Sequence, residues 1–467
     1  MELIGLIIGN RNFFPSNLCI EARERLIKVL KEEGITAVIL NSDETPYGTV
    51  ETFDDAKKCA KLFAQNKEKM IGILVSLPNF GDERSVAESI RQSGLNLPVL
   101  IHAFQDNLVK LGASSRRDSF CGKISVCNNL FQFGIKYSLT SSHTVDPESE
   151  KFRIDFRRFV QTCRIVNGLK NVRFGQIGIR PANFATVRYS EKLLERHNIT
   201  VEPLDLSEII ARANSINDNE IELKNKVLEI QDYVLTSSVP AKKIVQMAKL
   251  GVAIDRFVRE NDLSGIAIQC WTSLQLNFGV MPCTLMSMLG NKLIPSACET
   301  DIPGLVGMYA LSLASQSPSA LLDWNNNYDE NSDKSIVFHC SNIPKIFFGE
   351  NAEMSYNSII ANAVGKDKSF GTVVGIMKPQ KVTYCRVSTD EYQGRLKTYI
   401  GEGNMTNDKV KTFGGYGTIN IPNFQELLKF ICKNGFEHHV AVTSGEVSNA
   451  LNEAFSNYFD YETYHHH

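Results

Sequence analysis

LIGLIIG at residues 3–9, ARERLIKVLKEEG at 22–34, TAVIL at 36–40, IGILVSL at 71–77 and LPVLIHA at 97–103 set short apolar runs among amphipathic stretches. Two further helical patterns, from Asp54 to Gln65 and from Val86 to Gly94, fill the gaps. A strand that is apolar throughout has both faces buried, and consecutive parallel strands need a crossover, usually a helix. The spacing therefore predicts α/β architecture with a parallel sheet covered on both sides.

A second series of the same kind starts near Asn171, with RFGQIGI at 173–179, a helix ending at His197 and TVEPLDL at 200–206. Long helices between Leu206 and Glu260 lead into GIAIQC at 265–270. The expectation is two tandem Rossmann-like, doubly wound domains at residues 1–168 and 169–317, divided in or after the amphipathic stretch from Pro147 to Gly168. Beyond Pro318 the texture changes. Ser335 to His339, Ser369 to Met377, Lys381 to Val387 and Arg395 to Ile400 read as strands parted by Gly, Asn and Asp turns. A helix from Phe424 to Lys433, the strand HHVAVT at 438–443 and a last helix close this β-rich third domain, residues 318–467.

A chain of 467 residues exceeds what one core organises, in keeping with several domains. With 43% hydrophobic residues, 22% charged residues and a net charge of −2, it carries neither a basic field for nucleic acid nor an acidic tail. The apolar run at the start is about eight residues, too short for a signal core or a membrane span. Eleven scattered cysteines without a CxxC pair indicate reduced thiols and a cytoplasmic protein. The terminal YHHH resembles a purification tag and is set apart from the chemistry.

Glu299 in PSACETD and Asp323 in LLDWNNNY stand 24 residues apart. Each follows a short apolar segment, KLIPSAC or SALL, and is expected at the C-terminal end of a strand, the edge where open α/β sheets bind ligands. Either carboxylate alone reads equally well as an exposed turn acid. Trp324 with Asn325, Asn326 and Asn327 shifts the balance, since consecutive amides are poor strand residues but good partners for a polyol. His339 ends the apolar run SIVF, and His438 and His439 open the strand VAV, where alternation sends the paired rings to opposite faces. Carboxylates plus imidazoles without a thiolate pair form a set for Mn²⁺, Mg²⁺ or a related divalent ion. The methionines and Cys283 in NFGVMPCTLMSMLG at 277–290 read as a packed helix rather than a soft-metal site. FGGYGT and GEGN lack the lysine and helix of a phosphate loop.

The order of Glu299, Asp323 at this interval, His339 in FHCSN and the late His438–His439 pair resembles the L-fucose/L-arabinose isomerase superfamily. The resemblance implies two Rossmann-like domains followed by a β-barrel-like one. It also implies a divalent ion, usually Mn²⁺ with Mg²⁺ or Co²⁺ as alternatives, held by Glu299, Asp323 and His439. His339 is a fourth ligand in the arabinose branch, and His438 is the alternative to His439. Glu299 and Asp323 would then act as acid and base in an aldose–ketose isomerisation through an enediol.

The loop GNRNFFP at 9–15 is similar to the GSQHLYG-like loop of arabinose isomerases, which contacts sugar in a neighbouring subunit, so the resemblance implies a homo-oligomer with intersubunit active sites. Arg11 stands at the glutamine position, with Phe13 and Phe14 after it; arginine suits a carboxylate, phosphate or sulfonate. Together with Arg116 and Lys123 in SSRRDSFCGKISVCNN, a basic turn that is as readily a solvated one, it points to an anionic sugar. Superfamily members that turn sulfoquinovose into 6-deoxy-6-sulfofructose are the leading parallel. A neutral sugar such as L-fucose or arabinose, with Arg11 making only an ion pair, is the rival, and a non-catalytic sugar-binding protein is the rival from another class. The polar loops PNFGDER, with Asn79, Asp82, Glu83 and Arg84, and IRPANF, with Arg180 and Asn183, are weaker signals.

Overall fold

The computed structural model describes residues 2–349 and 352–467. They fall into two compact units, Met1–Asn167 with Asn457–Asp460, and Gly168–Ser456 with Tyr461–His467.

The first unit holds a five-stranded, all-parallel sheet in the order β2-β1-β3-β4-β5, formed by β1 (Leu3–Ile8), β2 (Thr36–Val38), β3 (Met70–Leu77), β4 (Val99–Ala103) and β5 (Ser138–Leu139). Alternation along β1 explains its continuous apolar run. Ile4, Leu6 and Ile8 join a cluster with Leu26 of helix Asn17–Glu32 and Phe156 of helix Glu150–Gly168. Ile7 faces the other way, into a cluster with Phe63 of helix Phe53–Gln65 and Val126 of helix Ser119–Gln132. Both faces of the strand are thus buried, as the lack of polar alternation requires. Gly5 is needed there, because a Cβ would stand 2.7 Å from the Phe63 ring and 2.6 Å from the Met70 methyl.

The second unit carries two sheets. Four parallel strands, β6 (Val172–Ile177), β7 (Ile199–Leu204), β8 (Gly265–Ile268) and β9 (Ser296–Cys298), run in the order β7-β6-β8-β9. The helix expected to end at His197 is the short Glu191–Glu195. Three helices, Leu206–Ser215, Ile221–Tyr233 and Ala241–Glu260, occupy the stretch before β8.

The remaining strands are β10 (Ser319–Tyr328), β11 (Asn331–His339), β12 (Glu353–Tyr356), β13 (Phe370–Ile376), β14 (Gln380–Asp390), β15 (Arg395–Met405), β16 (Gly415–Asn420), β17 (His439–Ser444) and β18 (Glu462–His465). They form a mixed nine-stranded sheet in the order β12-β13-β16-β11-β10-β17-β14-β15-β18. β15 also pairs with β16 through Asn404–Asn420 and Met405–Ile419, so six strands are linked in a cycle.

Two expectations need correction. The asparagine run does not leave the sheet: β10 continues through it, with a bulge between Trp324 and Asn326, so Asp323 lies within a strand rather than at its end. A bulge accommodates poor strand residues by absorbing one extra position. The terminal YHHH is not apart from the fold either. Tyr464 and His465 belong to β18, parallel to β15, and the buried His466 ring bonds to the Pro422 carbonyl at 2.8 Å.

Candidate metal centre

β9 ends at Cys298, and the next two residues, Glu299 and Thr300, both have left-handed backbones, φ 53° and 55°. For residues with a Cβ this costs of order 1–3 kcal/mol each and persists only where packing over-determines it, commonly at functional sites. The turn leads directly into helix Ile302–Ser315, whose first turn is capped by the Asp301 carboxylate accepting from the Gly304 amide at 2.9 Å. Its effect is to hold Glu299 at the C-terminal edge of the parallel sheet, next to β8.

The mixed sheet supplies the other groups by register. Asp323 on β10 lies directly opposite His439 on β17, and opposite Phe338 on β11 on its other side; His339 is the residue after Phe338. Glu299 Oε2 stands 3.8 Å from His439 Nε2 and 3.9 Å from His339 Nε2. Asp323 Oδ1 stands 3.4 Å from His439 Nε2 and 3.6 Å from His438 Nε2. The opposite-face expectation for the histidine pair fails here, because His438 precedes the strand and its ring reaches the same carboxylate. Its side chain is 42% exposed against 2% for His439.

The donor set fits a divalent cation. Glu299 Oε1 accepts from the Trp271 indole at 2.7 Å, whereas the buried Oε2 has no hydrogen-bond partner. A buried carboxylate oxygen left unpaired is costly unless something else satisfies it. Octahedral ligands about 2.1 Å from a small cation lie about 3 Å apart, so separations of 3.4–3.9 Å need only slight contraction. Oxygen and imidazole nitrogen are the ligand types of Mn²⁺ and its neighbours.

Behind His439 lies a buried ionic network. Asp301 Oδ2 is 2.8 Å from His439 Nδ1, fixing which ring nitrogen faces the cluster. The same carboxylate is paired with Arg386, itself fully buried, through both guanidinium Nη atoms. Arg386 Nε donates to Glu437 at 2.9 Å, and the other Glu437 oxygen accepts from Ser388 at 2.9 Å. Burial opposes ionisation of Asp301, but Arg386 and then His439 overcome it and hold the carboxyl well below its usual range. Burial likewise disfavours a charged His439, yet Asp301, Asp323 and Glu299 push its pKa upward. Glu299 is pushed up by burial, against the pull of His339 and His439. Protons and a cation therefore compete for the same atoms. Gly304 is required beside this network, since a Cβ there would come within 2.5 Å of Asp301 and 2.8 Å of Arg386.

The structure brings Glu299, Asp323, His339, His438 and His439 together. Trp324 turns into the core instead, edge-on to Tyr384 and against Phe424, with its indole donating to the Tyr399 hydroxyl at 3.0 Å. Asn325 and Asn326 are exposed. Arg11, Phe13, Phe14, Arg116 and Lys123 belong to the first unit. Arg11 is paired with Glu83, donates to the Gly81 carbonyl at 2.9 Å and lies 4.5 Å from the Phe80 ring centre. Phe13 is 74% exposed and touches Phe14. Arg116 is exposed and pairs with Asp118. Lys123 is buried, donating to Thr140 at 2.7 Å and the His143 carbonyl at 2.9 Å; burial lowers its pKa to about 8.

Asp301, Trp271, Phe184 and Arg386 were not singled out by sequence. Phe184 belongs to IRPANF, and its ring lies 5.4 Å from His438 and 5.6 Å from His439. Arg180 of the same loop, with Arg188, Tyr189 and Thr300, borders a cavity of about 290 Å³. Asp301 did carry a readable signal, since Asp–Ile–Pro marks a helix start. Its role against His439, 138 positions away, did not show.

Residues 5–170 match the profile for the fucose/sulfoquinovose isomerase N-terminal domain, and residues 337–467 match the L-fucose isomerase C-terminal domain. The chain belongs to the fucose isomerase-like family. It is accordingly an aldose–ketose isomerase. Sulfoquinovose isomerase of Clostridium sp. (strain MSTE9) is 23% identical over 360 residues, 76% of this chain and 77% of the relative. That of Priestia megaterium is 22% identical over 362 residues, with the same coverage, and that of Alkalicoccus urumqiensis 25% over 297 residues, 62% and 63%. In this fucose isomerase-like chain His339, His438 and His439 fall inside the matched C-terminal part, while Glu299 and Asp323 lie between the two matched parts. No helix among the described residues is long and apolar enough to cross a membrane.

Proposed function

We propose that the chain is a divalent-cation-dependent ketol isomerase acting on an anionic hexose, with sulfoquinovose as substrate and 6-deoxy-6-sulfofructose as product. The unpartnered, buried Glu299 Oε2, within 4 Å of two imidazoles, carries this reading. Glu299, Asp323 and His439 hold the ion, with His339 as a fourth ligand; Mn²⁺ is the proposed occupant and Mg²⁺ or Co²⁺ suit the same set. When bound, the cation polarises the sugar carbonyl and stabilises negative charge on the substrate oxygens.

The chain's own groups do the rest. One of Glu299 Oε2 and Asp323 Oδ1 removes a proton from the carbon beside the carbonyl, and a proton is returned to the adjacent carbon through the enediol. Asp301 and Arg386 keep the His439 ring oriented. Phe184, beside His438 and His439, and Trp271, bonded to Glu299, exclude water from the reacting carbons; their rings are 5.8 Å apart. The names of the relatives support sulfoquinovose, as do the two arginines at the Thr300 cavity, which suit a sulfonate. The Arg11–Glu83 pair favours a second reading, a neutral sugar.

The same proposal includes the finer architecture: Rossmann-like, doubly wound parallel sheets, a barrel made by the six-strand cycle, and domains at 1–168, 169–317 and 318–467. It also includes a homo-oligomer in which Arg11, Phe13 and Phe14 complete a neighbouring subunit's site. The test is turnover of sulfoquinovose, L-fucose and arabinose by Mn²⁺-loaded protein in deuterated water. Deuterium at the second carbon of recovered aldose is expected. Turnover without label would favour a hydride shift over the enediol route, and turnover of the neutral sugars alone would exclude the anionic substrate.

A further inference from the structure

Two of the eleven cysteines meet Glu299. Cys270 follows β8 and Cys298 ends β9. The Cys270 and Cys298 sulfurs and a Glu299 carboxylate oxygen lie within 4.8 Å of one another, and among the described residues this is the one group of potential ligands that contains sulfur. The Cys270 thiol donates to Glu299 Oε1 at 3.2 Å. Cys340 Sγ lies 3.7 Å from His339 Nδ1. Single buried thiols are ordinary core filler, as with Cys385 beside Thr398. Two that meet at a buried carboxylate are a different object.

We propose that Cys270, Cys298 and Glu299 form a second cation site, selective for a thiophilic divalent ion such as Zn²⁺ or Cd²⁺. Tetrahedral sulfurs about 2.3 Å from such an ion stand about 3.8 Å apart, inside the observed span. Each ligating thiol releases its proton to solvent as the sulfur–metal bond forms. Mg²⁺ and Mn²⁺ prefer oxygen and imidazole, so the two sites differ in ligand softness. They share one residue: Oε1 of Glu299 faces the thiols and Oε2 faces the histidines. Filling the sulfur site therefore ties down Glu299 and slows isomerisation. Only that last consequence rests on the proposed isomerase centre; the sulfur site stands without it.

Cadmium titration of the full chain carrying Cys121→Ser and Cys432→Ser, which removes the two exposed thiols, tests the site without reference to activity. One equivalent of Cd²⁺ is expected to produce thiolate-to-cadmium charge-transfer absorption, lost when Cys270→Ser and Cys298→Ser are added. Cadmium NMR of the protein with its interior cysteines intact covers the case in which those variants fail to fold, and should show a resonance shifted by at least two sulfur ligands. No absorption, absorption indifferent to Cys270 and Cys298, or a resonance typical of oxygen and nitrogen ligands alone would each overturn the proposal.

Discussion

His102 in β4 and His439 in β17 are both buried within a sheet, yet their surroundings give them opposite properties. The His102 ring bonds to neutral groups, the Ser76 hydroxyl at 2.8 Å and the Val145 carbonyl at 2.9 Å. Burial, which the Val145 bond only partly offsets, lowers its pKa to about 3. His439 suffers the same burial, but Asp301 at 2.8 Å and the facing carboxylates raise its affinity for positive charge. One ring is a neutral prop between helices and sheet. The other is a receptor for a proton or a cation, and the difference lies in the charge of its partners rather than in its depth.

The largest effect should come from removing Glu299, the carboxylate shared by His339 and His439. Glu299→Gln keeps the shape and the Trp271 contact but deletes the charge, and isomerase turnover should fall by about 10²–10⁴-fold, with metal content of the purified protein falling alongside. Turnover within tenfold of the parent would show that Asp323 alone moves the proton.

Next is the partner that sets His439 apart. Asp301→Asn leaves the buried Arg386 facing Glu437 alone, and breaking a buried pair in this way costs about 3–5 kcal/mol, measurable by urea unfolding. Loss of the group that orients a ligand should also weaken metal binding about 10–100-fold. A stability change under about 1 kcal/mol would mean that Glu437 suffices to neutralise Arg386.

His102 supplies the contrary experiment. Its folded pKa lies below its unfolded one, so its contribution to stability is fully present above the ordinary value of 6.5 and is lost as pH falls from there toward about 3. Tm of the parent should decline through that window, and His102→Gln should flatten the decline. An unchanged slope would assign acid sensitivity to other groups. The smallest expected effect is that of Trp324→Phe, which removes the bond to Tyr399 for about 1 kcal/mol of stability with turnover unaltered. A collapse in turnover would return Trp324 to the substrate.

Much of the scaffold was legible because it follows from local periodicity. The apolar runs of β1, β3 and β4, the helix Phe424–Lys433 and the strand after His438 are stretches in which neighbouring residues agree about what is buried. The asparagine run misled because a bulge lets β10 carry residues that strands disfavour. The helix expected to end at His197 stops at Glu195, because a helix's last turn frays and no local signal in the sequence marks its final residue. For the candidate site, carboxylates and histidines could be picked out by type and, Asp323 excepted, by their position at strand ends. Arg386 and Phe184 could not, since a buried arginine in a strand or a phenylalanine in a loop has no distinctive local pattern.

By itself the sequence determined the alternation of strands and helices, the change to β-rich texture after Pro318 and the residue types able to hold a cation. These depend on side chains a few positions apart, whose burial is set by strand and helix periods. Only the tertiary structure decided that Asp323 faces His439 across a strand pair, that Asp301 and Arg386 stand behind that histidine, and that Cys270 and Cys298 meet at Glu299. Strand register and buried charge pairing join residues far apart in the chain. A carboxylate's partners, and with them its pKa and its freedom to bind a metal, are fixed when those segments pack.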